Sequence, residues 1–126
     1  MIVSVHAYLP YSMALDTKGT SEYDPANSEI DTLFYNLKDL FLSRNIPVII
    51  GEYGTVNKDN LEDRIACAED YISKGAENGV PMVWWDNNAF VGDGENFGLM
   101  NREFPAEWRT QQLVDTIIEQ GKKYKN

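Results

Sequence analysis

Along this chain the hydrophobic positions alternate between the two-residue period of a strand and the 3.6-residue period of a helix. The run Ile2-Val3-Ser4-Val5-His6-Ala7-Tyr8 predicts a strand, and a stretch rich in Gly, Ser, Thr, Asp and Pro from Leu9 to Asn27 predicts a loop. Ile30, Leu33, Phe34, Leu37, Leu40 and Phe41 then fall on one helix face. Ser28 is the expected N-cap, Glu29 and Asp31 suit the first turn, and Asn45-Ile46-Pro47 stops the helix. A second unit follows: a strand from Val48 to Glu52, a short loop, and a helix from about Leu61 to Asn78 striped by Ile65, Ala68, Ile72 and Ala76. Asn78-Gly79 and Pro81 end that helix. The third unit is a strand from Val80 to Asp86, a long loop containing Gly92, Gly94 and Gly98, and a helix through Leu113, Val114, Ile117 and Ile118. Gly121 is the expected end of that helix, with a solvated tail from Lys122 to Asn126.

Consecutive strand-helix units predict an α/β fold with a parallel sheet and right-handed crossovers. Connections entering strands are tight, as in Arg44-Asn45-Ile46-Pro47 and Asn78-Gly79-Val80-Pro81, whereas those leaving strands are long and rich in aromatics, Asn, Asp and Gly. That asymmetry is the layout of a (β/α) barrel, whose site is built by the loops after the strands. The 126 residues are enough for one domain with a core, and 43% hydrophobic with 25% charged residues is an ordinary globular balance.

A net charge of −9 leaves nothing to attract nucleic acid or an anionic membrane, and favours a neutral or cationic substrate. No apolar run approaches the roughly 20 residues of a membrane span. The N-terminal Met1-Ile2-Val3-Ser4-Val5 lacks the basic and long apolar segments of a signal peptide. Cys67, the one cysteine, sits among apolar helix residues and reads as a buried thiol. With one His and one Cys, a zinc site of such ligands is not expected.

The chemistry-bearing residues gather at the predicted strand ends. Glu52 closes the run Ile46-Pro47-Val48-Ile49-Ile50-Gly51, held between Gly51 and Gly54 with Tyr53 beside it. His6 and Tyr8 share a face of the first strand, and Trp84-Trp85-Asp86-Asn87 closes the third. Each has a plainer reading: a loop carboxylate, a hydrogen-bonded structural histidine, a tryptophan pair in the core. Together, a carboxylate flanked by imidazole, phenol and indole suits sugar chemistry. Aromatic faces stack on pyranose rings, and the carboxylate can attack or stabilise an oxocarbenium-like centre.

The motifs His6-Ala7-Tyr8, Gly51-Glu52-Tyr53-Gly54, Trp84-Trp85-Asp86-Asn87 and Gly94-Glu95-Asn96-Phe97-Gly98, in this order, resemble the C-terminal part of family 5 glycoside hydrolases. The likeness is greatest to bacterial endo-β-1,4-glucanases and extends over essentially the whole chain. It implies a partial (β/α)8 TIM barrel of three consecutive βα units, a retaining mechanism, no cofactor, and a secreted parent enzyme acting on β-glucan. Carried over, Glu52 resembles the nucleophile at the end of strand seven, and His6 and Tyr8 the strand-six residues that order it. Trp85 resembles the strand-eight sugar platform, with Trp84 facing the other way, and Asn87 and Asn96 resemble substrate contacts.

The family's general acid/base is a glutamate after an asparagine near the end of strand four, and the only Glu-Asn neighbours in these motifs, Glu95-Asn96, have the reverse order. The chain therefore reads as residues 1–126 of a single incomplete domain. Its partner is expected to be a complementary N-terminal barrel part, or further copies of itself. Ile2, Val48, Ile50 and Val83 are expected on the uncovered inner face. Two other readings stay open: a non-catalytic oligomeric fragment with weak glycan affinity, and a flavodoxin-like domain, which lacks a phosphate-binding Gly-rich turn after its first strand. The preferred glycan stays open among cellulose, mixed-linkage glucan, xyloglucan and xylan.

Overall fold

A computed structural model describes residues 1–124. Strands β1 (Val3–His6), β2 (Val48–Tyr53) and β3 (Met82–Trp84) form one parallel sheet in the order β1-β2-β3. Helices α2 (Glu29–Leu40) and α3 (Leu61–Glu77) make the crossovers, and α4 (Gln111–Lys123) follows β3 and packs on α3. This is the expected partial (β/α) barrel. Two elements were not legible. A one-turn helix, α1 (Tyr11–Ala14), lies in the first long loop and buries Met13 and Ala14. The short antiparallel pair β4 (Met100–Asn101) and β5 (Glu107–Trp108) lies in the last.

Local chemistry explains the helix boundaries. At the start of α2 the Ser28 side chain makes no cap bond. Asn27 does that work instead: its Oδ1 accepts the Glu29 N–H at 2.8 Å, and its Nδ2 donates to Glu29 Oε1 at 3.1 Å. The end of α3 follows the expected Asn78-Gly79 signal. Gly79 takes φ +66°, its N–H donates to Ala76 C=O, and the Val80 N–H reaches back to Gly75 C=O at 2.8 Å. These paired bonds satisfy the last carbonyls and turn the chain into β3. Gly121 does not end α4, which continues through it to Lys123. Its backbone is not in the left-handed region, and Lys122 and Lys123 complement the negative end of the helix dipole. The expected tail thus shortens to Tyr124, with residues 125–126 outside the described part.

The sheet has one covered and one open face. Val48, Ile50, Phe34, Leu37, Tyr71 and Ile72 pack together between the sheet and helices α2 and α3, with Val3, Val5 and Trp84 against them. Val48 and Ile50 therefore belong to the helix-covered face and not to the uncovered one. Register decides this: Val3 pairs with Val48 and Val5 with Ile50, so the valines of β1 share their side. Ile2 and Val83 are exposed as expected, at 68% and 51%. The open face carries Ser4, His6, Val83 and Trp85, all exposed.

Candidate active site

Strict alternation along β2 would not bring Glu52 to the open face. Gly51 lies on that face: a Cβ built on it would meet Ser4 Oγ at 2.7 Å and the His6 ring at 3.8 Å. A register shift between Val5 and His6 then pairs His6 with Glu52 and skips Gly51. Such an irregularity re-aims a side chain at a strand end. The absence of a side chain at Gly51 leaves room for it.

The result is a compact polar cluster. Tyr8 Oη donates to Glu52 Oε2 at 2.6 Å, and His6 Nδ1 lies 3.4 Å from the same oxygen. The Ala7 N–H donates to the Glu52 carbonyl at 2.9 Å, so backbone and side chain of Glu52 are both tied to the end of β1. Partial burial, the hydrogen bond to Glu52 and the negative charges of Glu52 and Glu95 all push the Tyr8 phenol above its ordinary range. It is therefore a neutral donor at any physiological pH. Phe97, buried in the last loop, supports the Tyr8 ring at a centroid distance of 5.3 Å.

The two tryptophans diverge. Trp84 turns to the core, edge-on to Tyr53 at 5.1 Å and close to Gly54. Trp85 stands on the open side with 39% of its surface exposed, and its backbone N–H donates to the Tyr53 carbonyl at 2.8 Å. The open side thus presents carboxylate, imidazole and indole to anything lying across the strand ends. Two loop cavities, of about 460 and 520 Å³, are lined by other residues.

Asn87 and Asn96 both hydrogen-bond within the last loop. Asn87 Nδ2 donates to Glu95 C=O, and its Oδ1 accepts the N–H groups of Ala89 and Phe97. Asn96 is buried, and its Nδ2 donates to Gly92 C=O at 2.8 Å. These bonds brace the last loop, with Asn87 fixing the Phe97 N–H, while Asn96 also lines both loop cavities.

Asp86 performs the same task more strongly. It accepts the N–H groups of Asn88, Leu99 and Met100, and Arg102 Nη2 lies 3.4 Å from its Oδ2. Burial raises its pKa, but these three N–H groups and the Arg102 charge outweigh that effect and hold the carboxyl below its ordinary 3.8. A carboxylate so held is a poor proton donor. Its folded pKa is depressed, so its contribution is complete above about pH 4 and is lost as pH falls through the folded value. Asp86→Asn should destabilise the loop by about 1.5–3 kcal/mol near neutrality, as for a lost charge-assisted hydrogen bond. The penalty should shrink in acid. Hydrogen exchange at the Leu99 and Met100 amides checks this, and equal protection in both proteins at pH 7 would refute it.

Cys67 is fully buried, and burial followed by the Asp70 charge pushes its thiol up to about 12, which makes it inert as expected. No helix among the described residues is long and apolar enough to cross a membrane. The described residues hold no His/Cys/Asp/Glu group that would bind a metal ion.

Residues 1–91 match the family model described as Cellulase (glycosyl hydrolase family 5). The chain belongs to glycosyl hydrolase family 5. Among curated relatives it is 55% identical over 124 residues to endoglucanase B of Ruminococcus albus, covering 98% of this chain and 29% of that protein. It is 57% identical over 117 residues to endoglucanase 1 of the same organism, covering 93% and 29%. The chain thus spans under a third of the length of these relatives. Among solved structures, the broad specificity endoglucanase of Clostridium cellulovorans superposes with a TM-score of 0.88 at 37% identity, covering 95% of this chain and 36% of that one. That of Ruminococcus champanellensis, with bound cellotriose, gives 0.81 at 39% identity, covering 93% and 34%. The three parallel strands are those of a family 5 barrel's C-terminal part.

Proposed function

We propose that this chain is the nucleophile-bearing part of a retaining endo-β-1,4-glucanase, with Glu52 as nucleophile. The observation that carries the reading is the Glu52 carboxylate at the end of β2, held by Tyr8 at 2.6 Å and beside His6 at 3.4 Å. Tyr8 fixes one oxygen by donating to it and leaves the other for attack at an anomeric carbon. His6 and Tyr8 order the carboxylate, while Trp85 offers an aromatic face to the sugar beside the scissile bond. The first half-reaction forms a bond from Glu52 to the anomeric carbon as the glycosidic C–O bond breaks. The leaving oxygen takes a proton from a general acid. Water, deprotonated by the same group, then releases the sugar.

In this reading residues 1–126 form a single incomplete domain, and the acid/base comes from a barrel segment outside them. Retaining glycosidases place their two carboxyl groups about 5–5.5 Å apart, so that segment must close against β1 or β3 with its carboxyl facing Glu52. The substrate class is a β-1,4-glucan, supported by the endoglucanase relatives and by the cellotriose-bound neighbour. A polymer of that kind lies outside the cell, so the parent enzyme acts as a secreted protein. No cofactor enters this chemistry.

The test is covalent trapping. A 2-deoxy-2-fluoro-cellobioside with a dinitrophenolate leaving group needs no general acid, and its fluorine slows hydrolysis of the adduct. With the barrel completed, the label should appear by mass spectrometry on the peptide containing Glu52. A label on another carboxylate, with Glu52 unmodified, would reject the assignment.

A further inference from the structure

Tyr8 lies beyond the last residue of β1, where ladder pairing with β2 has ended at His6 and Glu52. A side chain that must meet a carboxylate at 2.6 Å needs its own backbone fixed, and the last bond the sheet supplies is from the Ala7 N–H to the Glu52 carbonyl, one residue short of Tyr8. Helix α3 does. Tyr71 Oη donates to the Ala7 carbonyl at 3.1 Å and accepts the Leu9 N–H at 3.0 Å. One hydroxyl therefore straddles Tyr8, using both its donor and an acceptor lone pair. Cys67, one turn earlier on the same helix face, directs its Sγ toward the Leu9 carbonyl at 3.6 Å. Tyr71 itself is only 1% exposed, with Tyr53 at 5.2 Å and Phe34 at 6.4 Å between ring centroids.

We propose that Tyr71 is a positioning residue for the catalytic carboxylate, acting through the backbone on either side of Tyr8. This rests on the reading of Glu52 as nucleophile, but the contact it predicts is measurable without turnover. The chain of support runs from the α3 core to the Tyr71 hydroxyl, to the Ala7 and Leu9 backbone, to the Tyr8 phenol, and finally to Glu52. Burial of Tyr71 keeps its own proton on, so it stays a donor to Ala7 throughout the working range. The hydroxyl bonds the backbone of Ala7 and Leu9 and makes no bond to Glu52, which separates its role from that of Tyr8.

The experiment is proton NMR of the chain near pH 6, following the Tyr8 hydroxyl. A phenol donating to a carboxylate gives a downfield, slowly exchanging resonance, assigned by its loss in Tyr8→Phe and by its upfield move in Glu52→Gln, which keeps a neutral and weaker acceptor. Tyr71→Phe keeps the buried ring and removes only the hydroxyl. It should abolish that resonance or speed its exchange with water at least tenfold. Ile72→Val is the control: it trims the same core on the neighbouring helix position and should leave the resonance in place at a matched loss of Tm. An unchanged resonance and exchange rate in Tyr71→Phe would overturn the proposal while leaving the site reading intact. Equal loss in Ile72→Val would also overturn it, because general loosening would then suffice. Absence of any such resonance in the unaltered chain would remove the Tyr8–Glu52 contact itself, and both readings with it.

Discussion

Glu52→Gln, in the barrel completed by its missing strands, should lower turnover of soluble β-glucan by about 10³-fold or more while changing glycan affinity little. The size follows from the role. An amide cannot form the glycosyl ester, and a thousandfold loss corresponds to about 4 kcal/mol of transition-state stabilisation. On this reading binding is spared, because it would be distributed over aromatic faces such as Trp85 and over hydrogen bonds made elsewhere in the barrel. The variant also keeps an acceptor oxygen for Tyr8 Oη, which now lies 2.6 Å from the carboxylate, so the cluster should hold its shape. Steady-state hydrolysis and calorimetric binding of a cello-oligosaccharide give the two readouts. Activity within tenfold of the unaltered enzyme would reject Glu52 as nucleophile. A parallel collapse of binding and Tm would mean that the carboxylate holds the fold and that the lost turnover reports on structure.

How much of this was legible beforehand varies with the range of the interaction. The strand-helix rhythm was readable because burial imposes its period on the sequence directly, as in Val48, Ile50 and the stripe of α3. The end of α3 was readable because Asn78-Gly79 is a local signal with a local cause. The face assignment was not. Placing Val48 and Ile50 on the helix-covered side required knowing the register with β1, which depends on residues 45 positions away. The register shift that turns Glu52 toward His6 has the same long-range character, yet the glycine beside Glu52 was a visible trace of it. Asn87 and Asn96 show a different limit. They stand in motifs that point to sugar binding, and their amides also satisfy backbone groups of the last loop through hydrogen bonds spanning four to ten residues, which the sequence does not display. Tyr71 was missed because the α3 stripe was read as purely apolar. A tyrosine on a buried helix face must place its hydroxyl somewhere, and that requirement was the available signal.

The chain alone should hydrolyse unactivated β-glucan negligibly, and adding the complementary barrel part should raise the rate by about 10²–10⁴-fold, the usual worth of general acid help. Glu52 can attack, but the leaving oxygen also needs a proton. Asp86 cannot supply it, since three N–H groups and Arg102 keep it ionised. Glu95 is the acidic side chain whose charge reaches the Tyr8 phenol from the last loop, and it is exposed there with no side-chain partner among the described residues that would fix its aim. The same addition should change the physical state of the chain. Its open sheet face carries His6, Val83 and Trp85, and β1 and β3 are free edges of the three-stranded sheet. Parallel strands are ordinarily covered on both faces, and unpaired edges recruit other strands. Without its complement the chain should self-associate, with a Tm that rises with concentration. Three strands do not divide evenly into eight, so copies of the chain cannot close the eight-stranded barrel without an added or omitted strand. The complement should convert that mixture into one defined heterodimer, seen by light scattering, as activity appears. A concentration-independent monomer that cleaves β-glucan unaided would overturn this expectation. Loss of that activity in Glu95→Gln would then identify the recruited acid.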